Sequence, residues 1–201
     1  MKSYKTHSFL LCLFIMSLFA PFAGAAEWVK LFDGKSFDGW FQTGGKHTYE
    51  IVDQSIVGIA VPKEGNGFMT TKQKYRNFEL KFEVKLDLGL NSGCQIRSMP
   101  LREGAHLIGP QVEIAGGKSG FIYGEAMKKK DGSRQLWLSP DMEREKTEQI
   151  KNALKPDQWN SFFIRAIDDR YQTFINDVPI TDFEFDGVAG PGHIGLQVHG
   201  V

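Results

Sequence analysis

The sequence predicts an all-β protein, a jelly-roll β-sandwich with one short surface helix. Three observations predict it. Apolar and polar residues alternate in segment after segment, turn dipeptides punctuate those segments, and a single stretch carries helix start and stop signals. Phe78 to Leu86 alternates strictly, with Phe78, Leu80, Phe82, Val84 and Leu86 on one face. Tyr49–Val52 and Ser55–Val61 flank Asp53-Gln54 as a hairpin. Trp159–Ala166 turns at Asp168-Asp169-Arg170 into Tyr171–Ile175, Asn176-Asp177 turns the chain again, and Gly192–His199 is the last strand. Trp28–Phe32 and Phe37–Phe41 read as strands at the start, with Trp28, Trp40 and Trp159 in the core. The helix is expected to start at Ser139 as N-cap, with Pro140 at its first position and Asp141 and Glu143 in its first turn. Lys155-Pro156 ends it.

Residues 1–25 are set apart from this fold. Lys2 and Lys5 precede an apolar run from Phe9 to Phe19, and Ala23-Gly24-Ala25 supplies small residues for cleavage. This run is too short for a membrane span, so an export signal is expected, placing the mature chain in the periplasm or outside the cell. A lipoprotein reading at Cys12 is disfavoured by the bulky Leu10 and Leu11 before it. Residues 26–201 then form one domain, with no linker or repeat to divide them. With the signal gone, Cys94 has no partner for an internal disulfide and reads as a small buried hydrophobe.

Charge excludes several functions. The full chain carries 24 basic and 24 acidic residues, and the mature chain 22 against 24. No net positive field gathers phosphates, so nucleic acid is not a partner, and nothing beyond the signal addresses a membrane. Gly-x-Ser-x-Gly, Walker and dinucleotide fingerprints are absent from the sequence. Lys128-Lys129-Lys130 before Asp131-Gly132 reads as an exposed loop.

Strand parity points to a site. Asn91, Gly93, Gln95 and Arg97 share one parity, Gln111 and Glu113 another pair, Tyr123 and Glu125 a third, Gln197 and His199 a fourth. If these four segments are neighbours, their polar sides merge into one patch of carboxylates, amides, a guanidinium, a phenol and an imidazole. Such groups hold sugar hydroxyls by directed hydrogen bonds, whereas a solvated sheet face looks like Lys81, Glu83 and Lys85. Trp137 is a candidate stacking platform at the rim.

The motifs Leu31-Phe32-Asp33-Gly34-Lys35 with Gly39-Trp40, Asn91–Arg97, Gly109–Ile114, Ser119–Glu125, Trp159-Asn160 and Gly195–Gly200 occur in one order. That series resembles the 3-keto-disaccharide hydrolase domain family along essentially the whole mature chain. Relatives of that family usually place Asn-Gly where this chain has Asn176-Asp177, and usually run one further strand past the position of Val201; either the sequence is a fragment or that strand is missing, which would leave a sheet edge open.

The resemblance implies a concanavalin-like jelly roll that cleaves glycosides oxidised at C3. A C3 ketone acidifies the C2 proton; a base removes it, the C1 substituent is eliminated, and water adds to the product. Glu113 is the expected base or cation-binding carboxylate, with His199 the alternative base. Arg97 would hold the enolate oxygen and Tyr123 would protonate the leaving oxygen. Asn91, Gln95, Gln111 and Gln197 would position hydroxyls, and Glu125 would be a second acid or a partner for Arg97. Oxygen ligands with one histidine would suit a divalent cation such as Ca²⁺ or Mn²⁺ polarising the ketone, although no spacing signature requires one. The alternative function is a non-catalytic, lectin-like carbohydrate-binding module on the same scaffold.

Overall fold

The computed structural model describes residues 27–200 except 88, 103–104, 143–145 and 189. The export signal, Cys12 and Glu143 of the expected helix therefore lie outside the described residues. Residues 27–30 are exposed without regular structure, and the described residues from Leu31 onward are one compact unit.

Twelve strands form among the described residues of that unit: β1 (Trp40–Gly44), β2 (Thr48–Val52), β3 (Ser55–Ile59), β4 (Gly67–Thr71), β5 (Phe78–Val84) and β6 (Ser92–Pro100). They are followed by β7 (Leu107–Ile114), β8 (Ile122–Glu125), β9 (Asn160–Ile167), β10 (Arg170–Ile175), β11 (Val178–Glu184) and β12 (His193–Val198). Six make a sheet in the order β1-β4-β12-β6-β7-β8, and four make a second, β11-β10-β9-β5, with every pairing antiparallel. The β2–β3 hairpin is a separate two-stranded sheet, with Gly58 packed close to Val198 of β12; it turns at Asp53 and Gln54, each with positive φ.

The two sheets face each other across one core. Cys94, Ile96, Val112, Ile122 and Ile194 from the six-stranded sheet meet Leu80, Phe162, Ile164, Tyr171 and Phe183 from the other. Each fully buried aliphatic or aromatic side chain contributes about 1.5–3 kcal/mol relative to exposure. These are the apolar parities of the strands, and the architecture is the expected concanavalin-like jelly roll. Cys94 lies wholly inside, and burial pushes its thiol up to about 12, so it is a packing residue.

Several local expectations are corrected. The segment 28–32 pairs with no strand among the described residues, and β1 begins only at Trp40. Trp40 is buried and donates its indole N–H to the Leu31 carbonyl at 2.8 Å, but Trp28 and Trp159 are more than half exposed. The helix contracts to α1 (Glu148–Lys151), capped by Thr147, whose hydroxyl accepts from the Ile150 N–H. Ser139 is buried and accepts the Ile122 N–H at 2.8 Å. Its oxygen completes the edge of β8, which removes it as a helix cap.

Candidate functional site

The side of the six-stranded sheet turned away from the core carries the amides. Antiparallel register places Thr70, Gly195, Gln95, Gln111 and Tyr123 opposite one another across β4, β12, β6, β7 and β8, and an isolated bridge adds Trp137 beyond Tyr123. Glu113 lies two residues along β7 from Gln111, and Gln197 two along β12 from Gly195, so both share this face. The parity argument thus brings Gln95, Gln111, Glu113, Gln197, Tyr123 and Glu125 together.

Gln95, Gln111, Glu113 and Gln197 are buried and wired to one another. Ser98 donates to Gln95 Oε1, and Gln95 Nε2 donates to Gln111 Oε1 at 2.9 Å. Gln111 Nε2 donates to Glu113 Oε2 at 3.0 Å and is 3.3 Å from Gln197 Oε1. Asn91, just before β6, donates from Nδ2 to Glu113 Oε1 at 3.1 Å, while its own Oδ1 is buried without a partner. Gly93 makes the wiring possible, because a Cβ there would stand 2.5 Å from the Gln111 side chain. The glycine on this face gives space to a neighbouring amide.

Burial is the main influence on Glu113 and raises its carboxyl above the ordinary carboxylate range. The Gln111 and Asn91 bonds oppose that rise, the Glu125 charge adds to it, and Lys118 lowers it. Each Glu113 oxygen accepts an amide N–H, and among the described residues no group of three His, Cys, Asp or Glu gathers to hold a metal ion.

Glu125 is directly opposite Gly109, at the other end of the face. Its Oε1 is 3.0 Å from His106 Nε2 and accepts from Asn66 Nδ2 at 3.4 Å. Asn66 in turn accepts the Gly200 N–H at 3.0 Å. His106 and Asn66 are residues that strand parity missed. Each precedes its strand, His106 before β7 and Asn66 before β4, where the two-residue period does not apply.

Two expected members are elsewhere. Arg97 has φ of 48° and sits where the β6–β7 register shifts between Gln95 and Met99. This bulge reverses parity, and the guanidinium turns towards the other sheet. It donates to the carbonyls of Arg76 and Asp168, to Asn77 Oδ1, and to the Tyr171 hydroxyl at 3.1 Å, stacking on that ring. Arg97 is therefore a clamp between the sheets, and Glu125 pairs with His106 instead of with it. His199 lies past the end of β12, exposed, with Nδ1–H donating to the Gly200 carbonyl. Tyr123 keeps its place, but its hydroxyl accepts from Arg134 at 3.0 Å, and its ring meets Trp137 edge to face. Lys118 stands over the Trp137 ring, making a cationic, aromatic border at β8.

A family model described as the 3-keto-alpha-glucoside-1,2-lyase-like domain matches residues 27–201. No curated protein sequence matches the chain. Among solved structures it is similar to a Parabacteroides distasonis protein provisionally described as a glycosyl hydrolase, at 20% identity, TM-score 0.58, over 85% of this chain and 86% of that one. It is also similar to the carbohydrate binding module CBM66 from Bacillus subtilis, at 13% identity and TM-score 0.57, over 80% and 88% of the two chains. Both likenesses concern the fold.

Proposed function

The chain belongs to the 3-keto-alpha-glucoside-1,2-lyase-like domain family, and from that premise we propose that it is an exported enzyme that cleaves 3-keto-glycosides by C2 proton abstraction. The charged and apolar order of residues 1–25 supports export to the periplasm or beyond. Glu113 takes the C2 proton, and the C2–H electron pair becomes an enolate conjugated with the C3 oxygen. Collapse of that enolate forms the C1–C2 double bond as the C1–O bond breaks. Addition of water across the double bond makes the net outcome hydrolysis.

The observation that carries this reading is the setting of Glu113. A carboxylate raised by burial is a stronger base than a free one, and two amides hold it in one orientation. Gln95 and Gln111 act through Glu113 by fixing that orientation. Gln197, Tyr123 and Trp137 offer hydrogen bonds and aromatic surface to the sugar. With Arg97 committed to the sandwich, the enolate oxygen falls to neutral donors such as the Gln197 amide.

The test is incubation of the purified protein with a 3-keto-glucoside and with its unoxidised parent, following aglycone release. Release from the keto compound alone, abolished in Glu113→Gln, is the expected result. Binding of both compounds without turnover would assign the chain to non-catalytic carbohydrate binding.

A further inference from the structure

Elimination places a negative charge on the departing glycosidic oxygen, and Glu113 leaves the base step already carrying the C2 proton. A second group must supply a proton to that oxygen. Tyr123, the expected donor, stands at the sheet border, where its hydroxyl accepts from Arg134 and keeps its own O–H free to donate. The His106–Glu125 pair has the features such a donor needs.

His106 Nε2 is sealed from solvent, 3.0 Å from Glu125 Oε1 and out of line for a hydrogen bond with it. The side chain as a whole is 38% exposed, whereas that of Glu125 is only 11% exposed. Nδ1 takes no hydrogen bond among the described residues. One ring nitrogen is therefore turned inward to a carboxylate and the other is free for a ligand. With the carboxylate beside Nε2, Nδ1 is the nitrogen left to reach a ligand. Phe68 packs edge-on against the ring, with centroids 5.8 Å apart, and Asn66 braces the carboxylate. The pair is close enough to the base for the Glu125 charge to act on Glu113.

We propose that His106, held by Glu125, is the catalytic acid that protonates the leaving glycosidic oxygen. The proposal rests on the lyase reading above and adds a residue and a polarity to it. The Nδ1–H bond breaks as the C1–O bond breaks; the aglycone leaves as an alcohol, and His106 is left neutral. Glu113 then returns the C2 proton to solvent, and His106 regains its own from solvent.

Two 3-keto-glucosides test it, one with a 4-nitrophenyl aglycone and one with a methyl aglycone. Nitrophenolate departs unaided, whereas methoxide requires a proton. In His106→Gln, kcat on the methyl compound should fall by about a hundredfold or more, and kcat on the nitrophenyl compound by far less. The basic limb of the wild-type pH profile for the methyl compound should disappear with it. Glu125→Gln should reproduce the same leaving-group dependence, and thermal melting checks that both variants fold. Wild-type turnover of both compounds with an equal fall, or no fall, in His106→Gln would overturn the assignment of His106 alone. Failure of the wild-type protein on both compounds would overturn the lyase reading and this proposal together.

Discussion

Gln111 Nε2 meets Glu113 Oε2 at 3.0 Å, two residues away on the same strand and on the same side of it. A neighbouring amide thus orients the carboxylate and partly offsets the burial that raises it. Its consequences for stability and for reactivity have opposite signs.

A carboxyl whose folded pKa is raised stabilises the fold below its unfolded pKa and loses that contribution as pH rises through the folded pKa. Glu113 is thus a liability to stability at neutral pH. Glu113→Gln removes the buried charge, and rotation of the Asn91 amide would let its unpartnered Oδ1 accept from the new side chain. The variant should melt about 2–4 °C higher at pH 7, corresponding to about 1 kcal/mol, with the difference vanishing at low pH. Calorimetry at pH 4 and pH 7 measures both, and an unchanged or lower melting temperature at pH 7 would contradict the liability.

The same displacement fixes the acid side of the rate profile. Activity needs Glu113 ionised, so kcat should fall on acidification at a pH above the ordinary carboxylate range. Gln111→Leu deletes a bond to the charged form and should move that acid limb further up. A kcat-against-pH series on both proteins decides it, and a limb that stays or moves down would remove Glu113 as the base.

Much of this site was legible because most of its strands are regular. Gln95, Gln111, Glu113 and Gln197 fall on one face by counting in twos, and the registers are even across β12, β6 and β7 up to Gln95. Counting fails at Arg97, where one left-handed residue reverses the side a residue faces. His106 and Asn66 approach Glu125 from outside the strands, and only the folded chain brings them there. Ser139 carried a cap signal, but its hydroxyl found a strand amide first. Local pattern sees which donors a residue has and not which acceptor arrives.

Arg97 should be needed for the fold and not for the reaction. It is 4% exposed, and its guanidinium joins β6 to the β9–β10 turn through carbonyl and phenol contacts. Hydrogen bonds to a charged donor are worth about 1.5–3 kcal/mol, and truncation takes the donor from the Arg76 and Asp168 carbonyls and the buried Tyr171 hydroxyl. Arg97→Met should lower stability by about 2–4 kcal/mol in a denaturant titration while leaving kcat of the folded fraction within about threefold of wild type. Loss of activity in fully folded protein would return Arg97 to the chemistry.

Gly93→Ala separates positioning from packing. Gly93 is buried in β6 directly opposite Glu113 and has an ordinary strand φ, so alanine meets no backbone strain there. Its Cβ would approach Gln111 Cδ at 2.5 Å and Cγ at 2.7 Å, so the amide has to swing away from Glu113. The sheet and the core on its other face are untouched, and the loss of stability should be about 1–3 kcal/mol, set by the displaced hydrogen bonds of the Gln111 amide to Gln95, Glu113 and Gln197. Catalysis should lose more, because a misplaced base forfeits about a hundredfold for a displacement near 1 Å. The expected result is a fall in kcat of that order with little change in KM, in protein that still unfolds in one urea transition. A variant with full kcat would show that the Gln111 bond does not hold Glu113 for reaction.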